Sequence, residues 1–216
     1  MTSTSESRRR LVEALAATIF EHAEELTELD RAIGDGDHGL NMKRGFEHVL
    51  ALVDDVAAKA PPDALKVIGT TLMMKVGGAS GPLYGTLFMT LGKSWPANVD
   101  AIGFADALGA AIASIKRLGK SDVGQKTMLD VLVPVHDELA RGGAGAELGG
   151  RVARRATSAA QATIPLQAIR GRASFLGARS IGHMDPGARS SSLMIVALCR
   201  ELFPDMEDEA WQTSES

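Results

Sequence analysis

Residues 30–39, DRAIGDGDHG, follow a long stretch of helical periodicity, and the fold class follows from this junction. Before it, Leu11, Leu15 and Ile19 recur at the three-to-four-residue spacing that places apolar side chains on one face of a helix. This spacing predicts a first helix over about Ser7–Leu29. The dense Gly and Asp that follow predict a loop. The junction therefore predicts a helix followed by a polar, glycine-rich connection.

The same alternation continues to residue 203 and predicts an all-α fold with no strand. The eight predicted helices are Ser7–Leu29, Asn41–Ala60, Asp63–Val76, Pro82–Lys93 with Ser80 as its N-cap, Asn98–Leu118, Lys126–Arg141 with a kink at Pro134, Glu147–Thr163 and Ala188–Phe203. Short connections favour antiparallel neighbours and hence an up-and-down bundle. Every second loop then lies at the same end. The loops at that pole are Asp30–Gly39, Gly77–Pro82, Gly119–Gln125 and Gly171–Gly187.

Composition restricts the domain organisation and the function class. The chain has 216 residues, which predicts a single domain over residues 1–203 followed by an acidic, flexible tail over residues 204–216. A net charge of −4 gives no expectation of nucleic-acid binding. Neither a signal peptide nor a membrane span is predicted, so a cytoplasmic protein is expected. Cys199 is the single cysteine, which excludes an intrachain disulfide and a cysteine-based zinc cluster.

The first loop carries Asp30, Asp35 and Asp37 within eight residues. Their mutual repulsion is relieved by a cation, and carboxylate oxygens suit Mg²⁺ or Ca²⁺. An EF-hand is excluded, because the twelfth position from Asp35 is Phe46 rather than a bidentate Glu. The alternative is a polar turn with helix caps, since Asp-Gly pairs are common in turns. The interleaved glycines favour a metal site.

The other loops offer groups for an anion. Residues 77–82 precede a helix, and small residues there let main-chain amides approach a phosphate, although such turns also occur without ligands. Arg172 could pair with a phosphate, while Met128 could cover a base or fill core. His38 and Asn41 have phosphate-binding or purely structural interpretations. No Walker motif and no catalytic triad can be assembled from the spacing.

Four motifs in chain order resemble the dihydroxyacetone kinase L-subunit family. They are LDRAIGDGDHGLNM (29–42), GGASGPLYGT (77–86), KTMLD (126–130) and GRASFLG with SIGHMDPGA (171–177 and 180–188). Together they cover nearly the whole chain. One residue departs from the family pattern, because Gln125 stands where an Asp would precede Lys-Thr.

The resemblance implies a closed barrel of eight antiparallel helices, with ADP or ATP and two Mg²⁺ ions at one pole. It implies that Asp30, Asp35 and Asp37 hold both ions, and that no side chain acts as a covalent catalyst. The implied nucleotide-binding residues are His38, Gly39, Leu40, Asn41, Ala79, Ser80, Gly119, Met128, Arg172, Asp185, Pro186 and Gly187.

The resemblance also implies an activity and partners. In the phosphotransferase-system branch, ADP stays bound and is rephosphorylated by a phosphohistidine on an M subunit. The resulting ATP phosphorylates dihydroxyacetone held on a separate K subunit. A length of 216 residues favours a separate L subunit of this type. The alternatives are a ketose kinase subunit that uses free ATP and a non-catalytic nucleotide-binding regulator, because some members contact transcriptional regulators.

Overall fold

The structure, a computed structural model, describes residues 4–206, and these form ten α-helices, one 3-10 helix and no strand. The α-helices are α1 (Ser5–Glu21), α2 (Ala23–Ile33), α3 (His38–Leu50), α4 (Val53–Ala58), α5 (Pro61–Lys75), α6 (Ser80–Lys93), α7 (Ala101–Gly119), α8 (Leu129–Ala140), α9 (Gly145–Gln161) and α10 (Pro186–Leu202), and the 3-10 helix is Arg172–Ser180. The predicted all-α class is confirmed. Two of the eight predicted helices are each divided in two, which gives ten.

The first predicted helix is divided at His22 and ends later than expected. The His22 carbonyl still accepts a hydrogen bond from the Leu26 amide at 2.9 Å, and the His22 ring lies 2.7 Å from the Glu25 carboxylate. A one-residue bend therefore separates α1 from α2 without ending the helical path. Because α2 continues to Ile33, Asp30 lies in its last turn and not in the loop.

Several other predicted helix boundaries were wrong, mainly because capping geometry depends on tertiary contacts. The N-cap of α6 is Ala79 and not Ser80, whose hydroxyl is engaged elsewhere. Helix α8 begins at Leu129 because the Asp130 carboxylate holds the preceding turn, accepting from the amides of Gly124 at 2.5 Å and Thr127 at 2.7 Å. Helix α10 begins with proline, which suits the first helical position.

Contacts between helices close into a ring. In order the ring is α1, α3, α5, α6, α7, α8, α9 and α10, and α10 packs back on α1. One connected set of buried apolar side chains draws on every helix of this ring, with Ile19, Phe46 and Leu129 among its fully buried members. Helix α2 is not a member of this ring and packs against α3, α10 and the 3-10 helix. This position brings the end of α2 to the candidate site.

Glycine permits close helix crossings as well as tight turns. A Cβ added at Gly69 of α5 would lie 2.7 Å from the Gly85 carbonyl oxygen of α6, and one at Gly85 would lie 2.9 Å from the Gly69 carbonyl oxygen. The two glycines therefore face each other where α5 crosses α6. These two glycines thus lie inside helices and not in the glycine-rich loops between them.

The predicted tail falls mostly outside the described residues. Met206 is buried beside Gly149 of α9, whereas residues 207–216 of the predicted tail are not described. Within residues 4–206, no helix combines the length and apolar character needed to cross a bilayer.

Candidate functional site

The four loops predicted to share a pole meet in the structure. Arg172 Nη1 lies 3.1 Å from Asp35 Oδ2, which joins the first and fourth loops. His38 Nδ1 lies 3.0 Å from the hydroxyl of Ser80, which joins the first and second. A Cβ added at Gly119 would lie 3.6 Å from Leu83, in the first turn of α6, so the third loop lies beside the second.

The three predicted metal ligands form one cluster. Asp30, Asp35 and Asp37 each offer a carboxylate oxygen that lies within 4.8 Å of the other two. Asp30 is buried in the last turn of α2, and its Oδ2 accepts the main-chain amides of Asp37 at 2.8 Å and His38 at 3.1 Å. A Cβ at Gly34 would lie 2.1 Å from Asp30 Oδ1, so this turn requires glycine. The loop is therefore folded around the Asp30 carboxylate.

The donor set of this cluster fits a hard divalent cation. All three groups are carboxylates, and Mg²⁺ prefers a few carboxylates completed by water and phosphate oxygens. One carboxylate oxygen of Asp30 lies within 4.8 Å of an oxygen of Asp35 and of Asp37, and its Oδ2 also accepts the two main-chain amides. Arg172 pairs with Asp35 and is itself about two-thirds exposed, so one arginine reaches the edge of the acidic cluster.

Helix N-termini surround the acidic cluster. Helices α3, α6 and α10 begin at His38, Ser80 and Pro186, and the positive ends of their dipoles favour an anion. Asp185 caps α10 by accepting the Ala188 amide at 2.7 Å, whereas α6 has no side-chain cap. Helix α3 also lacks a cap from its own N-cap side chain, but its His38 amide donates to Asp30, so of these three helix starts that of α6 has no carboxylate acceptor within the described residues. Ala79, its N-cap, is exposed.

The side chain of His38, a predicted nucleotide-binding residue, contacts two hydroxyl groups. Its side chain is buried, with Nδ1 3.0 Å from the Ser80 hydroxyl and Nε2 2.9 Å from the Ser190 hydroxyl. Burial lowers the pKa of His38 to about 4, although nearby Asp30 and Asp37 oppose the shift. The ring is therefore neutral near pH 7 and links the starts of α3, α6 and α10.

The three residues after His38 have distinct environments. Gly39 is buried where α3 meets α2, and a Cβ there would lie 1.9 Å from the Ala23 carbonyl oxygen. Leu40 is exposed. Asn41 is buried, with its side-chain oxygen accepting from Arg44 and close to Gly77. Of the three, Leu40 alone is open to a ligand through its side chain.

Two more of the predicted nucleotide-binding residues, Met128 and Gly187, lie close together. A Cβ added at Gly187 would lie 3.6 Å from the main-chain nitrogen of Met128, and Met128 and Pro186 are both buried. Burial raises the pKa of Asp185 to about 7, with the neighbouring carboxylates of Asp130 and Asp30 adding to the rise. Asp185 therefore titrates near neutral pH.

The sequence reasoning missed Lys126 as a site residue. Its side chain is buried, and Nζ donates to the carbonyls of Thr163 at 2.7 Å, Leu166 at 3.1 Å and Ile164 at 3.3 Å, and to that of His183. Burial lowers the pKa of Lys126, and the Asp185 and Asp130 carboxylates counter the shift. The ammonium group thus fixes both ends of the segment that carries Arg172. The KTMLD motif contains this lysine, but its acceptors lie 37 to 57 residues further along the chain, so no signal in the sequence indicates these contacts.

Gln125, the departure from the family pattern, contacts that same segment. Its side-chain oxygen accepts a hydrogen bond from Arg170 Nε at 3.2 Å. A neutral acceptor therefore serves at this position where a carboxylate was expected.

Comparison with known proteins supports a single family. The family model of the DAK2 domain matches residues 32–200. The ADP-binding subunit DhaL of PEP-dependent dihydroxyacetone kinase 1 from Listeria innocua is 42% identical over 83% of this chain and 88% of its own length. The corresponding DhaL of Escherichia coli PEP-dependent dihydroxyacetone kinase is 45% identical over 82% of this chain and 87% of its own length.

A solved structure has the same fold over most of the chain. The dihydroxyacetone kinase from C. freundii in complex with AMP-PNP and Mg²⁺ is 27% identical and superposes with a TM-score of 0.69, over 89% of this chain and 33% of that chain. The likeness thus covers about one third of a longer protein.

Proposed function

This chain belongs to the DAK2-domain family, and on that premise we propose that it is the ADP-binding L subunit of a dihydroxyacetone kinase. The observation that carries the proposal is the cluster of Asp30, Asp35 and Asp37, with oxygens within 4.8 Å of one another, beside the uncapped start of α6. A cation site next to an anion site suits a magnesium nucleotide. Its relatives of similar length are named as subunits with this role.

The chain's own residues would position and neutralise the polyphosphate. The three aspartates would hold two Mg²⁺ ions, and bound Mg²⁺ supplies charge neutralisation of the transferred phosphoryl group. The first-turn amides of α6 and the Arg172 guanidinium would bind phosphate oxygens. Met128 and Gly187 lie together, and with Gly119 they supply small and aliphatic surfaces for the base. No side-chain nucleophile is required, because phosphoryl transfer depends mainly on positioning and electrostatics.

The substrate and the phosphoryl donor would come from other chains. We infer a K subunit that holds dihydroxyacetone and an M subunit that rephosphorylates bound ADP, since the relatives that match over most of their length are named as PEP-dependent. Arg172, Leu40 and Phe175 are exposed at the site pole, where a partner can reach the nucleotide.

Reconstitution tests this proposal. The full chain is mixed with a K subunit and dihydroxyacetone, and triose phosphate is measured with either a phosphorylated M subunit or free ATP as donor. We expect turnover with the phosphorylated M subunit. Turnover with free ATP alone would indicate the ATP-dependent alternative, and ADP binding without turnover under either condition would indicate a nucleotide-binding regulator.

A further inference from the structure

Residues 164–182, a stretch that we call the closed segment, meet at a narrow neck. The Gly182 amide donates to the Ile164 carbonyl at 2.9 Å, so the two ends of the stretch are hydrogen-bonded to each other. Inside it, the Ala168 amide donates to the Ser180 hydroxyl at 2.9 Å, and both of these residues are buried. The closed segment therefore has hydrogen bonds of its own and can open or close as a unit.

A buried ammonium group fills the neck of the closed segment. Lys126 is 1% exposed, and its Nζ donates to the carbonyls of Thr163 at 2.7 Å, Leu166 at 3.1 Å, Ile164 at 3.3 Å and His183. Three N–H donors thus serve four carbonyls, which come from the chain entering the closed segment and from the chain leaving it. Within residues 4–206, every hydrogen-bond acceptor of this group is a main-chain carbonyl. Carbonyl oxygens also replace the hydration shell of K⁺ in a channel filter.

The main chain at Lys126 indicates that its side chain is required in this position. Lys126 has a φ of 62°, in the left-handed region that is unfavourable for a residue with a Cβ. Gly124, two residues earlier, has a φ of 82°, so the same turn uses glycine at its other left-handed position. Glycine would also fit the backbone at residue 126 without this strain. The hydrogen bonds of the ammonium group therefore offset a backbone conformation that lysine disfavours.

The polar contacts of Arg170 and Arg172 with the rest of the chain lie at the surface. Arg170 Nε donates to Gln125 Oε1 at 3.2 Å in an exposed contact, and Arg172, whose side chain is 68% exposed, lies 3.1 Å from Asp35. Exposed contacts of this kind contribute little, because water and salt compete with them. The buried ammonium group is the stronger attachment of the closed segment, so the neck determines where Arg172 stands.

We propose that Lys126 is a positioning residue whose ammonium group acts as a tethered monovalent cation in a carbonyl cage, and that its charge holds the closed segment shut and so presents Arg172 to the site. The inference deepens the proposed function and rests on it, because Arg172 is there assigned to a phosphate. The turn that carries Lys126 continues into Met128, which lies beside Gly187. One residue thus links the phosphate side of the site to the side proposed for the base.

Amide hydrogen exchange of the full chain tests the neck without any nucleotide. Lys126→Met keeps much of the apolar side chain and removes the charge. We expect the Gly182 and Ala168 amides to exchange at least tenfold faster, relative to the slowest core amides, than in the parent, because hydrogen bonds to a charged group are lost and the segment opens locally. An equal acceleration of all amides would overturn the proposal, since Lys126 would then support the fold as a whole.

The parent chain gives a second measurement that does not depend on the folding of a variant. The hydrogens of a buried, fully hydrogen-bonded ammonium group exchange slowly with water. Lys126 should therefore give a ¹H–¹⁵N signal from Nζ that correlates with its own side-chain carbons. If the Lys126 ammonium hydrogens exchanged as fast as those of the exposed lysines, the carbonyl cage would be contradicted.

Chemical rescue separates the charge of Lys126 from its volume. Lys126→Ala lacks three carbons and the nitrogen, which are the heavy atoms of propylammonium, whereas propanol has the same carbon chain without the charge. We expect propylammonium to restore the slow exchange of the Gly182 amide in Lys126→Ala, and propanol to leave it fast. An equal effect of the two compounds, or no effect of the amine, would overturn the assignment of the cage as a cation site.

Nucleotide binding tests whether the neck places Arg172. Lys126→Met should raise the Kd of Mg·ADP about tenfold, the worth of one hydrogen bond to a charged group, whereas Lys59→Met, a lysine that pairs with Asp55, should leave it unchanged. An unchanged Kd in Lys126→Met would overturn the positioning role. If the parent binds no nucleotide, the proposed function fails, while the exchange and rescue measurements still decide whether Lys126 closes the neck.

Discussion

The carboxylate of Asp30 accepts two main-chain amides through Oδ2, at 2.8 and 3.1 Å, and one of its oxygens lies within 4.8 Å of an oxygen of each of the other two aspartates. Asp30 is thus both the residue that folds the loop and a candidate ligand. Within residues 4–206, Asp35 and Asp37 accept no such hydrogen bond from a main-chain amide, so their substitution tests metal binding with less disturbance of the loop. Arg172 supplies the one cation that pairs with this cluster in the described part of the chain.

Asp35→Asn and Asp37→Asn should each raise the Kd of Mg·ADP by about tenfold or more. The reason is loss of a cation ligand, and even residues that only support metal ligands are worth about 10–100-fold. Isothermal titration with and without Mg²⁺ measures the effect. Asp137→Asn, an exposed acid near the far end of α8, is the matched control and should be neutral. If Mg²⁺ changed the Kd of ADP equally in the parent and in both variants, the assignment of Asp35 and Asp37 as metal ligands would be contradicted.

The free energy of unfolding should fall as the pH rises from about 4 to about 7, because of the titration of Asp185. Burial raises its pKa to about 7, so over this range the unfolded chain has released the proton while the folded chain retains it. The stabilisation is complete below the unfolded pKa and is lost as the pH passes through the folded one. Denaturant unfolding of metal-free protein measures the profile, with an expected fall on the order of a few kcal/mol.

Asp185→Asn provides the control, since the titration of all other groups cancels in the difference between parent and variant. The difference in unfolding free energy should change across pH 4–7 and be constant above it. A difference that does not vary with pH would show that Asp185 titrates normally.

At the scale of elements, periodicity predicted where the helices lie but not where they divide. At the bend, the His22 ring contacts Glu25, which also accepts a hydrogen bond from Arg189 of α10 at 2.6 Å, a contact between residues 164 positions apart. The acidic cluster was predictable because its three residues are close in sequence. The contacts of Lys126 and the contact of His38 with Ser190 were not, because the partners lie 37 to 152 residues away.

Gly39→Ala should destabilise the fold by about 1–3 kcal/mol, the usual cost of overpacking. An added Cβ would lie 1.9 Å from the Ala23 carbonyl oxygen and 2.8 Å from the Thr27 amide nitrogen, both main-chain atoms of α2. Gly150→Ala in α9 is the control, because its Cβ would meet the flexible end of Arg154 at 3.2 Å. It should be neutral or slightly stabilising, since alanine favours helix. If Gly39→Ala and Gly150→Ala lowered the melting temperature equally, the close approach of α3 to α2 at Gly39 would be contradicted.

Lys126 should act on nucleotide binding through the segment that carries Arg172. Lys126→Met is expected to weaken Mg·ADP binding and also to reduce the further effect of Arg172→Ala, with a coupling of at least about 0.5 kcal/mol in a double-mutant cycle. Lys59→Met, which removes a pairing with Asp55 away from the site, should combine additively with Arg172→Ala. If the effects of Lys126→Met and Arg172→Ala on Mg·ADP binding were additive, Lys126 would contribute to the stability of the fold and not to the placement of Arg172.

For the whole molecule, a ring of eight helices brings four loops to one pole. The carboxylates, the uncapped start of α6 and the exposed Arg172 meet there because alternate connections of such a ring lie at the same end. The chain belongs to the DAK2-domain family, and relatives that it matches over most of their length are named as ADP-binding subunits. The central claim is therefore that this pole holds a magnesium nucleotide as a resident coenzyme.

The most direct test is the nucleotide carried by the purified chain. Protein dialysed in the presence of Mg²⁺ is denatured, and the released nucleotide is identified and quantified by chromatography against protein concentration. The account predicts about one ADP per chain, lost after dialysis with a chelator and retained poorly by Asp37→Asn. Saturation at about 100 times the Kd would also stabilise the fold by about 2.7 kcal/mol. No released nucleotide, together with no Mg²⁺-dependent binding of added ADP, would contradict it.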